Sequence, residues 1–292
     1  MTAGRFTSPC LIITMKITYL GTAAAEGFPA MFCDCEFCRK AMSLGKSEFR
    51  TRSQVLIDDD LLVDFPPEAY VHYLDGKFSL SSIKYLLVSH SHMDHFYAHD
   101  FILRGYKYAK LKEDVLNIFG NSEVKKVFDE CTAREMKEVV APHVKVNVID
   151  KYYEFTIGDY RILTLPAQHS NEETALLFYI EKAGKGYLHL YDTGRICDDA
   201  LDFLREKGAK ASLVSFDCTF VRHTAGAVSR HMGIEDDVDL KSKLFELGVV
   251  DDNTQYVITH FSHNANPLRS NLKEIEEKYG VIAAYDGMQI EI

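Results

Sequence analysis

The sequence predicts an α/β protein of the α+β kind, with two sheets packed face to face and helices outside them. Three observations carry this. Short apolar runs with strand character alternate with helical runs from Met15 to the last residue. The strands fall mostly into antiparallel groups joined by short turns. No Pro-, Gly- or Ser-rich linker divides the series, so residues 15–292 read as one domain and residues 1–14 as an extension outside it. A sheet or helix with one apolar face must bury that face against another element, and stacked layers are the stable solution.

The elements follow in order. Residues 17–20 form a strand ending at Gly21, and residues 26–38 form a Gly- and Cys-bearing loop. Residues 53–57 and 61–64 pair as a hairpin around Asp58-Asp59-Asp60. Two prolines open a short helix at 66–74, because proline fits the first helical turn. Residues 83–89 are a strand and 99–110 a helix, followed by a strand at 116–120. Ser122 caps a helix running to 138, with Val124, Val127, Phe128 and Cys131 at helical spacing. Strands follow at 144–149, 153–157, 160–165, 175–181 and 186–191, with Gly158-Asp159 as a tight hairpin turn. Helices at 200–207, 234–247 and 268–279 alternate with strands at 212–217 and 256–259. Residues 281–285 and 288–292 read as a closing hairpin around Asp286-Gly287.

Composition narrows the function. The 292 residues are 47% hydrophobic and 26% charged, ordinary for a globular protein with a substantial core. No apolar run approaches the ~18 residues of a membrane span. The net charge of −10 argues against a broad surface for long nucleic acids. Seven cysteines, three of them within six residues, suit a reducing, cytoplasmic setting with one thiolate metal site. Cys131, Cys197 and Cys218 read as buried fillers.

The densest chemistry is Ser89-His90-Ser91-His92-Met93-Asp94-His95, which follows the apolar strand Tyr85-Leu86-Leu87-Val88. Alternate residues at a strand end point to one side, so His90 and His92 can converge on one ion while Asp94 and His95 face a second. Imidazole and carboxylate suit zinc, manganese or iron. Three more ligand-type residues each follow a predicted strand: His169, Asp192 and His260. Elsewhere, Cys33-x-Cys35-x-x-Cys38 needs a fourth ligand to close a tetrahedron, and His263 is the best candidate. A closed Cys3His set is a structural zinc site.

Together, His90-x-His92-x-Asp94-His95, His169, Asp192 and His260 resemble the ligand pattern of the metallo-β-lactamase superfamily. The resemblance implies a four-layer αββα sandwich with a dinuclear centre at the sheet edges. His90, His92 and His169 would hold one ion, Asp94, His95 and His260 the other, and Asp192 would bridge them. Gly21-Thr22, Gly27-Phe28-Pro29-Ala30, the Cys33–Cys38 cluster, Asp217-Cys218, His231, Thr259-His260-Phe261-Ser262-His263 and the ending Tyr285-Asp286-Gly287-Met288-Gln289-Ile290 resemble the PhnP family of phosphodiesterases within it. Residues 96–145 and 222–238 depart from that pattern.

The resemblance implies hydrolysis of a small cyclic or nucleotide-like phosphodiester, such as a phosphoribosyl 1,2-cyclic phosphate, by a hydroxide shared between two zinc or manganese ions. His231 resembles the family's substrate-binding histidine that protonates the leaving group, and it joins Asp94 among the catalytic candidates. Asp217 and Asp64, at strand ends, could orient ligand histidines, with structural hydrogen bonding the safer reading for both. Arg50 and Arg52 read as a surface pair, with substrate-phosphate contacts as the alternative. Arg104, Tyr106 and Tyr108 lie where a substrate could touch them. The competing readings are a transfer-RNA 3′-processing endonuclease, a thioester hydrolase of the glyoxalase type and a non-catalytic zinc scaffold. The expected partner is a small molecule rather than a membrane, and a homodimer is the default oligomer.

Overall fold

The computed structural model describes residues 14–292 apart from Lys77 and Ala227. Residues 1–13 of the expected extension lie outside the described residues. Among the described residues, fourteen strands build two seven-stranded sheets. The first runs in the order β14 (Met288–Glu291), β1 (Lys16–Gly21), β2 (Gln54–Ile57), β3 (Leu61–Val63), β4 (Tyr85–Leu87), β5 (Leu116–Gly120), β6 (Val144–Val148). The second runs β13 (Ile282–Ala283), β12 (Gln255–Thr259), β11 (Leu213–Asp217), β10 (Lys185–Leu190), β9 (Leu176–Lys182), β8 (Tyr160–Pro166), β7 (Glu154–Ile157).

Side-chain parity makes the layers. In the first sheet Ile17, Tyr19, Val55, Ile57, Val63 and Leu87 point inward to a core shared with Ile162, Phe178, Ile180, Tyr187 and Val257 of the second. Their neighbours Leu20, Leu56, Leu62, Leu86 and Ile118 point outward, against Val124 and Phe128 of α3 (Ser122–Thr132). In the second sheet Leu163, Leu177, Leu188, Val214 and Ile258 face outward against Leu201, Leu240 and Leu272. These leucines belong to α4 (Asp198–Glu206), α5 (Ile234–Glu246) and α6 (Arg269–Tyr279). Strands buried on both faces read as continuous apolar runs, because each face packs on its own layer. The expected sandwich with outer helices is therefore the observed one.

Several elements differ from expectation. The closing hairpin does not form. β13 pairs in parallel with β12 while β14 pairs antiparallel with β1, so the turn at Asp286 passes the chain from one sheet to the other. The short separation of two apolar runs mimics a hairpin, but the sheets compete for those edges and win. Parallel pairs are as frequent as antiparallel ones, since the outer helices serve as crossovers. The helix expected at 99–110 is a 3-10 segment, Ala98–Leu103, followed by turns at Gly105. α2 is shorter than expected, Ala69–Leu74. α1 (Glu36–Leu44), whose first three residues lie in the expected 26–38 loop, starts inside the Cys cluster, with Cys35 Sγ accepting from Cys38 N as its cap. Asn121, not Ser122, caps α3: its Oδ1 accepts from Val124 N at 2.9 Å.

Arg50 and Arg52 are buried, against the surface reading. Arg50 donates to Thr22 Oγ1 at 2.9 Å and to Ala284 O, with its guanidinium 4.8 Å from the Phe261 ring centroid. Arg52 pairs with Glu68 at 3.0 Å. Asp286, at the sheet-to-sheet passage, accepts from Thr51 N, Thr51 Oγ1 and Thr22 Oγ1 at 2.6 to 2.7 Å. Burial pulls Arg50 down to about 10, and Asp286 is the first of the charges that oppose that fall. Breaking a buried charge set costs more than the set contributes while whole, since the remaining charge is left alone. Asp286→Ala should lower the unfolding free energy by about 3 kcal/mol or more in urea titration. A loss within the ~0.5 kcal/mol typical of surface substitutions would show that the passage is held by something else.

Candidate metal centre

The carboxyl ends of β3, β4, β8, β10, β11 and β12 open onto one edge of the sandwich. β3 and β4 are parallel, as are β10, β11 and β12, and β8 regains the direction of β10 through two antiparallel steps. Residues just past those strands therefore meet there, whatever their separation in sequence. Asp64, Asp192 and His260 each sit one or two residues past a strand with φ of 63°, 55° and 62°. That left-handed conformation turns the side chain sharply back over the sheet edge. It costs a non-glycine residue on the order of 1 kcal/mol or more and persists only where the surroundings enforce it.

All seven expected ligand residues converge. His90, His92, His169 and Asp192 bring one donor atom each within 4.8 Å of one another, and Asp94, His95, Asp192 and His260 do the same. Asp192 belongs to both sets. Its Oδ2 lies 3.4 Å from His90 Nε2, 3.1 Å from His95 Nε2 and 3.9 Å from His260 Nε2. Its Oδ1 lies 3.0 Å from His169 Nδ1. His92 Nδ1 sits 2.9 Å from His90 Nε2 and 3.3 Å from His169 Nε2. Two ligand atoms about 2.1 Å from one tetrahedral ion stand about 3.4 Å apart, close to these separations.

The partners behind the rings set their tautomers. Asp64 Oδ2 accepts from His95 Nδ1 at 2.7 Å, which turns Nε2 towards Asp94 and Asp192. Ser89 Oγ donates to the same Asp64 oxygen at 3.0 Å and so accepts from His90 Nδ1 at 3.1 Å. Thr219 Oγ1 donates to His260 O and accepts from His260 Nδ1, both at 2.8 Å. In each case the other ring nitrogen points into the cluster, as outer-shell partners of metal-binding histidines arrange it.

The donor set fits a pair of cations. His95 Nε2, His169 Nδ1, Asp192 Oδ1 and His260 Nε2 are buried and make no hydrogen bond. An unpaired buried polar atom costs on the order of 1–3 kcal/mol, and cations at this point would give all four a partner. Without one, the charges distort each other. Burial, then the neighbouring His95, pushes His90 well below the usual imidazole range. Burial also opposes a charge on His95, but Asp94 and Asp64 outweigh it and hold His95 well above that range. Burial opposes a charged Asp192 too, yet His260, His169 and His95 keep it ionised.

His231 stands beside this centre, just before α5. Its Nδ1 lies 3.1 Å from Asp217 Oδ2 and 3.2 Å from Asp192 Oδ1. Burial lowers its pKa, but Asp217 and then Asp192 prevail and raise it to about 9. Its loop is held by Gln168 Nε2 donating to Ser229 O at 2.7 Å. A Cβ on Gly194 would stand 1.9 Å from that same oxygen, so only glycine allows the loop to seat.

The second cluster also forms. His263 Nδ1 lies 3.7 Å from Cys35 Sγ and 3.6 Å from Cys38 Sγ, and Cys33 completes the set. A tetrahedral zinc with bonds of about 2.3 Å to sulfur and 2.0 Å to nitrogen places those atoms about 3.5 Å apart, so the four residues fit one. The cluster joins α1 to the segment after β12 that carries His260.

A sequence model of the beta-lactamase superfamily domain matches residues 68–261, a stretch that contains all seven His and Asp residues. The chain belongs to the beta-lactamase superfamily. No curated protein matches it. Among solved structures, a diphosphatase from the PhnP family is similar with a TM-score of 0.70 at 19% identity, covering 96% of this chain and 98% of that one. The metallo-β-lactamase fold protein YhfI from Bacillus subtilis gives 0.67 at 19% identity, covering 96% and 100%. The short form of human tRNase Z gives 0.63 at 16% identity, covering 94% and 98%. At such identities the likeness is one of fold, and the fold is that of the metallo-β-lactamases.

Within this superfamily chain, other expectations need correction. Cys197 is exposed and Cys131 half-buried, so only Cys218 of the three is a buried filler. Arg104 is spent on His143 O and Glu113 O at 3.0 and 2.6 Å. Tyr108 lines a groove with Tyr70, Tyr73 and Phe101 on the outer side of the first sheet. Sequence reasoning missed Ser89, Thr219 and Glu173. Ser89 and Thr219 each stand within two residues of a site residue, but hydroxyls in such places are too common to be a signal. Asp64→Ala should remove the acceptor of His95 Nδ1 and of Ser89. Zinc affinity at the His and Asp centre should then fall about 10- to 100-fold in calorimetric titration. An unchanged affinity would refute the orienting role.

Proposed function

We propose that the chain is a metal-dependent hydrolase of phosphodiesters, with a small cyclic or nucleotide-like phosphodiester as substrate. The observation that carries this reading is the seven-residue His and Asp centre with His231 at its side. His90, His92 and His169 would hold one divalent ion, Asp94, His95 and His260 a second, with Asp192 between them. Cys33, Cys35, Cys38 and His263 would hold a structural zinc. Divalent ions at such a centre supply Lewis acidity and lower the pKa of coordinated water. The absence of cysteine from the His and Asp set, and the fold shared with a diphosphatase and a tRNase, support phosphate chemistry.

The protein's own groups supply the rest. Asp217 holds His231 by Nδ1, which leaves Nε2 to carry a proton towards the substrate. Asp217 beside Nδ1 favours the protonated ring, which can give its proton to a leaving oxygen. That proton is lost as pH rises through the ring's pKa, so turnover should fall on the alkaline side. The net charge of −10 disfavours a long RNA as substrate.

The test joins metal analysis to a substrate panel. Three equivalents of metal per chain are expected, two of them removed by mild chelation together with cleavage of cyclic phosphodiesters. Cleavage of precursor transfer RNA instead would favour the nuclease reading, and two bound ions without any phosphodiester hydrolysis would favour a scaffold. His231→Ala should lower kcat about 100-fold or more for alkyl or ribosyl leaving groups and far less for activated aryl esters. Equal losses for both would remove His231 from proton transfer.

A further inference from the structure

Glu173 serves no part of the reading above, yet its carboxylate makes four polar contacts beside the centre. Its Oε1 accepts from Ser91 N at 3.0 Å and from Ser91 Oγ at 2.6 Å. Its Oε2 lies 3.1 Å from Ser91 N and accepts from Asn121 Nδ2 at 2.6 Å. Asn121 also donates to Thr174 O at 2.9 Å while its Oδ1 caps α3. Ser89 O accepts from Leu176 N at 2.8 Å, closing the same seam.

The position of these contacts gives them meaning. Ser91 is the residue between His90 and His92. Glu173 lies four residues past His169, on the loop that carries it into β9. So one carboxylate ties the first sheet's His90 and His92 to the second sheet's His169. His92 needs the tie most. It is exposed, and among the described residues its ring meets the rings of His90 and His169 with no hydrogen-bond acceptor behind it. The second set is held without Glu173: Asp64 fixes His95, and Thr219 fixes His260.

We infer that Glu173 is the positioning residue for one ion of the pair, the one claimed by His90, His92 and His169, and that it acts through Ser91. This rests on the proposed dinuclear reading of the centre. A carboxylate suits the task because it offers two acceptor oxygens to three donor groups, Ser91 N, Ser91 Oγ and Asn121 Nδ2. A glutamine would turn its own N–H groups towards Asn121 Nδ2 or Ser91 N and lose that match.

The experiment is zinc titration of the whole chain by calorimetry, with cobalt absorption spectra as a second readout. Wild type should bind two ions at the centre beyond the one at the cysteines. Glu173→Ala should leave one of those two within about threefold of its wild-type affinity and weaken the other about 10- to 100-fold. Anomalous scattering from crystals of Glu173→Ala at one zinc equivalent per centre should place the ion among Asp94, His95 and His260. Thr219→Val should do the reverse. Glu173→Gln should behave like Glu173→Ala, and adding Asn121→Asp should restore part of the lost affinity by giving the new amide an acceptor. Unchanged affinities in Glu173→Ala, or an equal loss at both positions, would overturn the inference and leave the dinuclear reading standing. A wild type that binds nothing at the centre would instead remove the reading beneath it.

Discussion

Asp192 sits where ring nitrogens of four imidazoles converge, and the rest of the structure follows from holding that crowded arrangement together. Its two oxygens lie within 3.0 to 3.9 Å of His169, His95, His90 and His260, all of them shielded from water. A protein builds such a cluster only against a force that would disperse it. Here that force is met by two sheets whose shared core of Ile17, Tyr19, Val63, Ile162, Phe178 and Tyr187 fixes the strand ends. The left-handed backbone at Asp64, Asp192 and His260 is the local side of the same constraint. Each is a residue that favours an extended or helical backbone, kept out of it by what its side chain must reach.

Rigid delivery is possible because direction, not sequence distance, decides what meets. Asp64 and His260 are 196 positions apart, yet β3 and β12 both end at the same edge. The outer helices make this work by serving as crossovers, so strands can run parallel and present the same end. That is also why so much of the centre was legible in the sequence. A ligand-type residue just after an apolar run is readable without knowing the partner strand. The His90 cluster, His169, Asp192 and His260 all share that signature.

What was not legible depends on competition between elements. The runs at 281–285 and 288–292 look like a hairpin because adjacency in sequence is visible, whereas the two distant edges that capture them are not. Arg50 and Arg52 looked like surface charges because a buried arginine is uncommon, and its acceptors, Ala284 O and Glu68, lie far away or carry no motif. The helix at Glu36–Leu44 hid inside the cysteine spacing, whose chemistry drew attention from the amphipathic run behind it. Thr219, Ser89 and Glu173 are ordinary residues whose role is set by a tautomer or a single donor, information that residue type alone does not contain.

The electrostatics around His231 follow from a carboxylate that does not depend on it. Asp217 accepts from Thr193 N at 3.2 Å and from Thr219 N and Met232 N at 3.0 and 3.1 Å. Three backbone donors pin both oxygens, so the anion keeps its place whether or not an imidazole is beside it. A fixed anion raises a neighbouring histidine without needing to move, which is the condition for a preorganised proton donor. The same carboxylate lies 3.5 Å from His260 Nδ1, on the far side of Thr219. One anchored charge thus faces both a proposed ligand of the second cluster and the histidine proposed for proton transfer. A change at His231 therefore removes a proton without releasing the anion that helps to hold His260, and the two functions can be separated although they share a wall of the site.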